Sequence, residues 1–97
     1  GPDPGGHLLS RLDETIATRA RERPDDSYTV RLLDRGLAKI AQKVGEEAVE
    51  VVVAATAEDP ARLASESADL LYHLLVLLRA RGVGLRQVLQ VLEERER

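Results

Sequence analysis

Leu37–Ala57 reads LAKIAQKVGEEAVEVVVAATA, a run free of proline with a single internal glycine, Gly45. Projected at about 100° per residue from Lys43, its apolar residues Leu37, Ile40, Ala41, Val44, Ala48, Val51, Val52 and Ala55 fall in an arc of roughly 60° to 180°. Lys43, Glu46, Glu47 and Glu50 occupy a separate arc of about 100°. One long helix with an apolar face and an acidic face follows. Glu46 and Glu50 are four apart, and Glu47 and Glu50 three apart, so their carboxylates are neighbours. Like charges at such spacings cost a few tenths of a kcal/mol per pair, about as much as an ordinary exposed helix pair contributes. Something must offset that repulsion.

Working outward, Glu58-Asp59-Pro60 interrupts the period, and Pro60 suits the first position of a second long helix running to Arg81, with Gly82 as its stop. This helix repeats the theme. Glu66 and Asp69 are three apart, and His73 follows one turn after Asp69. His73 reads as a hydrogen-bonding partner of Asp69 or a core-edge histidine rather than a metal ligand, and Tyr72 as interface packing with its hydroxyl at the rim. Leu74–Leu78 is apolar all round and needs cover on every side. Val49 and Val53 also lie off the main apolar stripe of the preceding helix. The expected architecture is all-α, with two long central helices and shorter flanking ones. Against a second copy it forms a dimeric core like a four-helix bundle.

Upstream, His7–Glu22 carries Leu8, Leu9, Leu12 and Ile16 at helical spacing, with Ser10 or Asp13 as possible caps near its start. Arg23-Pro24 ends it, because the residue before proline is pushed out of the helical region. Ser27 or Thr29 can cap a short helix to Arg35, and Gly36 supplies a left-handed stop. Downstream, Leu85, Val88, Leu89 and Leu92 mark a last helix. Gly1–Gly6 reads as a tag or linker remnant, which leaves residues 7–97 as one domain.

The chain has 97 residues with 17 acidic and 14 basic side chains, a formal charge of −3, which argues against a nucleic-acid partner. It contains no cysteine, so thiolate nucleophiles, disulfides and cysteine-ligated zinc are excluded. Aromatic residues make up 2%, Tyr28 and Tyr72 alone, and a core of Leu, Val and Ala favours helices over a sandwich or barrel. No apolar stretch has the length of a membrane span, and the expected compartment is the cytoplasm.

If the two long helices are antiparallel neighbours, Glu46, Glu47 and Glu50 face Glu66 and Asp69. Converging carboxylates repel unless they protonate or hold cations. All-oxygen ligation suits Mg²⁺ or Mn²⁺, which keep open positions for water and phosphate oxygens. A lone acidic motif on one helix is most often a solvated face. Two of them on consecutive helices, the second bordering the apolar run that begins at Leu70, form a stronger pattern. Lys43 has two readings: a salt bridge to Glu47, or a point charge for a substrate phosphate. Arg23, Arg31 and Arg35 can add phosphate contacts.

Lys43-Val-Gly-Glu-Glu-Ala-Val-Glu50 and Glu66-Ser-Ala-Asp-Leu-Leu-Tyr-His73 together resemble the phosphoribosyl-ATP pyrophosphohydrolase family of histidine biosynthesis. Arg23-Pro24, Ser27-Tyr28-Thr29, Leu33 and Gly36 resemble its entry segment, and the likeness runs from about Leu8 to Leu92. The wider Glu-x-x-Glu and Glu-x-x-Asp pattern belongs to the all-α, MazG-like NTP pyrophosphatase superfamily. The resemblance implies a nucleotide-binding hydrolase that converts N1-(5-phosphoribosyl)-ATP to N1-(5-phosphoribosyl)-AMP and pyrophosphate with Mg²⁺. It implies Glu47, Glu50, Glu66 and Asp69 as metal ligands, and Glu46 and Glu47 as catalytic carboxylates, Glu46 being a further ligand or the base. It also implies a homodimer or larger assembly, with Lys43, Arg23, Arg31, Tyr28 and Thr29 contacting substrate. One departure is Gln42, where the family commonly carries a second lysine. The alternatives are a housekeeping (d)NTP pyrophosphatase of the same superfamily and a non-catalytic helical dimerisation module.

Overall fold

The computed structural model describes residues 4–96, with side chains from His7 onward. Gly1, Pro2 and Asp3 of the expected tag or linker lie outside the described residues. Five helices follow in order: α1 (Pro4–Glu22), α2 (Tyr28–Asp34), α3 (Leu37–Ala57), α4 (Pro60–Ala80) and α5 (Leu85–Arg95). Helix α1 thus opens ahead of the expected His7, with a proline at its first position, where a missing N–H costs nothing.

The punctuation acts much as the sequence suggests, with three differences. Gly36 sits at φ 91° between α2 and α3, and Gly82 at φ 75° after α4. Ser27 caps α2, its hydroxyl accepting from the Val30 N–H. Helix α4 begins with Pro60, and the carboxylate of Asp59 accepts from the Arg62 N–H at 2.8 Å, a cap the sequence reading did not name. Arg23 is the first departure: it takes φ 52°, left-handed rather than extended, while its N–H still bonds the Arg19 carbonyl. Asp13 is the second. It does not cap α1; its Oδ2 accepts from Arg79 Nη2 at 3.0 Å and from the Leu85 N–H at 3.2 Å. A carboxylate on α1 therefore caps α5 and anchors it beside the end of α4, a tertiary role that local spacing does not reveal.

The core takes Ile16 from α1, Leu32 from α2, Ile40 from α3, and Leu75 and Val76 from α4. Each such side chain contributes about 1.5–3 kcal/mol by leaving water. Leu12, Leu33, Tyr72, Leu77 and Leu85 pack around them. The long helices α3 and α4, joined by Glu58 and Asp59, form the dominant contact.

The buried row of α3 is the third difference. Ile40, Glu47 and Ala54, seven apart, are buried, with Val44 and Val51 partly so. Leu37 and Val52, from the expected apolar arc, are exposed at 43% and 62%. Helix α4 covers only one edge of that arc and draws the adjoining edge of the acidic arc inside with it. On α4, Leu75 and Val76 are buried but Leu74 is exposed, so one chain does not cover Leu74–Leu78 on every side.

Candidate functional site

Glu47 on α3 and Glu66 on α4 are each 5% exposed, unusual for carboxylates in a chain this small. Each offers an oxygen that, with one from Asp69, forms a group whose members all lie within 4.8 Å of one another. The antiparallel α3–α4 pair creates the cluster. Glu47 is carried inward by the row it shares with Ile40 and Ala54, while Glu66 and Asp69 lie one turn apart on the opposing helix.

Each buried carboxylate is only half satisfied. Glu47 Oε1 forms an ion pair with Lys43 Nζ at 3.2 Å, and Glu66 Oε1 with Arg62 Nη2 at 3.0 Å. Glu47 Oε2 and Glu66 Oε2 are buried without a hydrogen-bond partner among the described residues. A buried acceptor left unsatisfied costs about 1–3 kcal/mol, and more when charged. Two such oxygens beside a third carboxylate fit a hard divalent cation such as Mg²⁺ or Mn²⁺.

The other acids stand outside this group. Glu50 is exposed at the rim, sharing a depression with Val49, Val53, Glu58, Arg62 and Glu66. Glu46 is exposed on the next ridge of α3, its carboxylate accepting from Gln42 Nε2 at 3.1 Å. Lys43 titrates above the usual lysine value, chiefly through its hydrogen bond to Glu47, so it stays cationic at neutral pH. Arg62 was absent from the sequence reading. Its signal was present in the spacing, because it reaches Glu58 and Glu66 four residues to either side.

In the entry segment, the residues expected to contact substrate also have partners within the chain. Arg23 pairs with Asp34, and the guanidinium of Arg31 lies 5.8 Å from the centre of the Tyr28 ring. Thr29 is buried, its hydroxyl hydrogen-bonded to that of Tyr72. It therefore joins α2 to α4, and Tyr72 packs within the chain through the same contact. His73 Nδ1–H donates to the Asp69 carbonyl at 2.7 Å, which leaves Nε2 to accept from the Tyr28 hydroxyl at 3.1 Å. The expected link between His73 and Asp69 thus runs through the Asp69 backbone, and Tyr28, Thr29, Tyr72 and His73 brace the turn of α4 that carries the acid.

The model of the family described as phosphoribosyl-ATP pyrophosphohydrolase matches residues 9–96. The chain belongs to this family. Among curated relatives, the phosphoribosyl-ATP pyrophosphatase of Pyrobaculum calidifontis is 57% identical over 89 residues, covering 92% of this chain and 95% of that protein. The phosphoribosyl-ATP pyrophosphatase of Erythrobacter litoralis is 56% identical over 90 residues, covering 93% and 86%. The histidine biosynthesis bifunctional protein HisIE of Xanthomonas axonopodis pv. citri is 53% identical over 94 residues, covering 97% of this chain and 46% of that protein. The chain thus spans about half the length of its bifunctional relatives and most of the shorter family members. No described helix is long and apolar enough to cross a membrane.

Proposed function

We propose that this chain hydrolyses N1-(5-phosphoribosyl)-ATP to N1-(5-phosphoribosyl)-AMP and pyrophosphate, with Mg²⁺ held by Glu47, Glu66 and Asp69. The observation that carries the site is the convergence of two unpartnered buried carboxylate oxygens with a third acid. Family membership supports the substrate. When bound, Mg²⁺ neutralises phosphate oxygens and lowers the pKa of a coordinated water.

The chain's own residues divide the remaining work. Glu50, at the rim beside Glu66, completes the acidic set around the cation. Glu46 is held by one amide and retains lone pairs that accept a proton from the attacking water. Lys43, cationic and directed to Glu47, supplies a positive charge for a phosphate oxygen at the edge of the cluster. Tyr28 and His73 hold the Asp69 turn in place.

The exposed Val49, Val52 and Val53 on α3, with Leu71 and Leu74 on α4, support a homodimer in which a second copy covers them. A soluble phosphorylated intermediate of amino-acid synthesis fits the cytoplasm.

The test is pyrophosphate release from phosphoribosyl-ATP, with and without Mg²⁺, beside ATP, dCTP and dUTP. Mg²⁺-dependent release from phosphoribosyl-ATP is expected. Release from the plain nucleotides alone would move the chain to a housekeeping pyrophosphatase. Silence on all four would overturn the hydrolase reading.

A further inference from the structure

Arg35, Lys39 and Lys43 are spaced four apart and continue, at the same spacing, to Glu47. Lys39, Lys43 and Glu47 lie on one ridge of α3, and Arg35, at the end of α2 across the Gly36 turn, stands at the foot of that ridge. With Gln42 and Glu46, the three cations line a depression of about 370 Å³. Lys43 is turned to Glu47, but Arg35 and Lys39 make no salt bridge among the described residues. Glu46, the acid among these lining residues, accepts from the Gln42 amide.

This placement opposes helix stability twice. Cations four residues apart repel, and the N-terminal turns of a helix carry the positive end of its dipole, where acids are favoured. Helix α3 has no acid in its first turn. An arrangement unfavourable to the helix is favourable to an anion, which meets the dipole and the cations together.

We infer that Arg35 and Lys39, with Gln42, form a second phosphate subsite that takes the 5′-phosphate of the substrate's N1-linked ribose. The inference rests on the proposed substrate. The two phosphate-bearing ends of phosphoribosyl-ATP are separated by two riboses and a purine, so a single cradle cannot hold both. Lys39 precedes Glu47 by eight residues, about 12 Å along the helix axis. Lys43 lies between them, so the ridge runs from the carboxylates to the far end of the depression, where Arg35 and Lys39 stand. Arg23 and Arg31, the alternative cations, are engaged by Asp34 and the Tyr28 ring.

The experiment is calorimetric titration of the full chain, loaded with Mg²⁺, with phosphoribosyl-AMP, AMP and inorganic pyrophosphate. Wild type is compared with Arg35→Gln, Lys39→Gln and Lys39→Arg. Both residues are exposed, so the variants keep the fold. Each glutamine variant should weaken phosphoribosyl-AMP by about tenfold, the usual effect of losing one charge-assisted contact. AMP and pyrophosphate should shift by less than about twofold, and Lys39→Arg should restore most of the affinity. Equal weakening of AMP or pyrophosphate would assign these cations to the triphosphate end and overturn the inference. Unchanged phosphoribosyl-AMP binding would do the same. A wild-type chain that neither binds phosphoribosyl-AMP nor hydrolyses phosphoribosyl-ATP gives a different signature, in which the proposed substrate itself fails.

Discussion

Replacing Glu66 by glutamine should stabilise the metal-free protein while removing its response to Mg²⁺. The opposing effects follow from the surroundings of this carboxylate. Oxygens of Glu47, Glu66 and Asp69 lie within 4.8 Å of one another, and at an effective dielectric of about 20 two unit charges that far apart repel by about 3.5 kcal/mol. Asp69 is exposed and screened, so the term between buried Glu47 and Glu66 dominates. The attraction lost is that of Arg62, whose side chain is 59% exposed, and a pair of that kind contributes about 0–1 kcal/mol. The introduced amide also removes the unpartnered buried charge that Glu66 Oε2 carries.

The net change is therefore a gain on the order of 2 kcal/mol without metal, or roughly 10 °C in melting temperature for a domain of this size. Wild type should gain about 2.7 kcal/mol when Mg²⁺ is present at a hundred times its dissociation constant. Glu66→Gln should gain little. Scanning calorimetry of both proteins in EDTA and in Mg²⁺ reads the comparison directly. A variant that melts below wild type in EDTA, yet keeps the full Mg²⁺ increment, would refute the reasoning, because Glu66 would then be an ordinary structural ion-pair partner.

Asp13→Ala should cost about 2–3 kcal/mol, since one carboxylate oxygen serves both Arg79 and the first amide of α5. Hydrogen exchange should show α5 losing protection before α3 or α4. Val52→Asp, at a position already 62% exposed, should leave the monomer fold intact and shift a dimer to monomer in light scattering; an unchanged mass would remove this face from the interface. Because Lys43 titrates above 10.5 in the folded chain, its stabilising effect is fully present below that value and fades as pH rises beyond it. Wild type and Lys43→Met should therefore differ by a few tenths to about 1 kcal/mol near neutrality and converge in strong alkali, as followed by urea melts.

The long helices were legible in the sequence because strong local signals bound them: Gly36 before α3, and Asp59 and Pro60 between α3 and α4. The acids were legible because their spacing was regular on both helices. Which of them would be buried was harder to read. On a helical projection Glu47 lies only about 20° from Ile40, so the neighbour's position, not the pattern, decides that it turns inward. Asp13 resembled a cap for its own helix because only the folded chain brings the start of α5 beside it. Sequence does not show that Arg23 pairs with Asp34, that Arg31 lies by the Tyr28 ring or that Thr29 bonds the Tyr72 hydroxyl, because each contact depends on the folded chain. Lys39 and Lys43 were readable as neighbours on one helix, but that Arg35 joins them across the Gly36 turn, and that Arg35 and Lys39 make no salt bridge among the described residues, shows only in the folded chain.

The short α3–α4 connection acts as a gauge. Two residues, Glu58 and Asp59, set how far α4 slides along α3. A residue inserted within either helix between Glu47 and Glu66 would rotate one acid by about 100° relative to the other and displace it by about 1.5 Å. The spacing between the two acidic motifs is consequently as much a part of the site as the carboxylates. Length variation that spares the site belongs at the start of α1 and the end of α5, where neither offset nor rotation reaches the cluster.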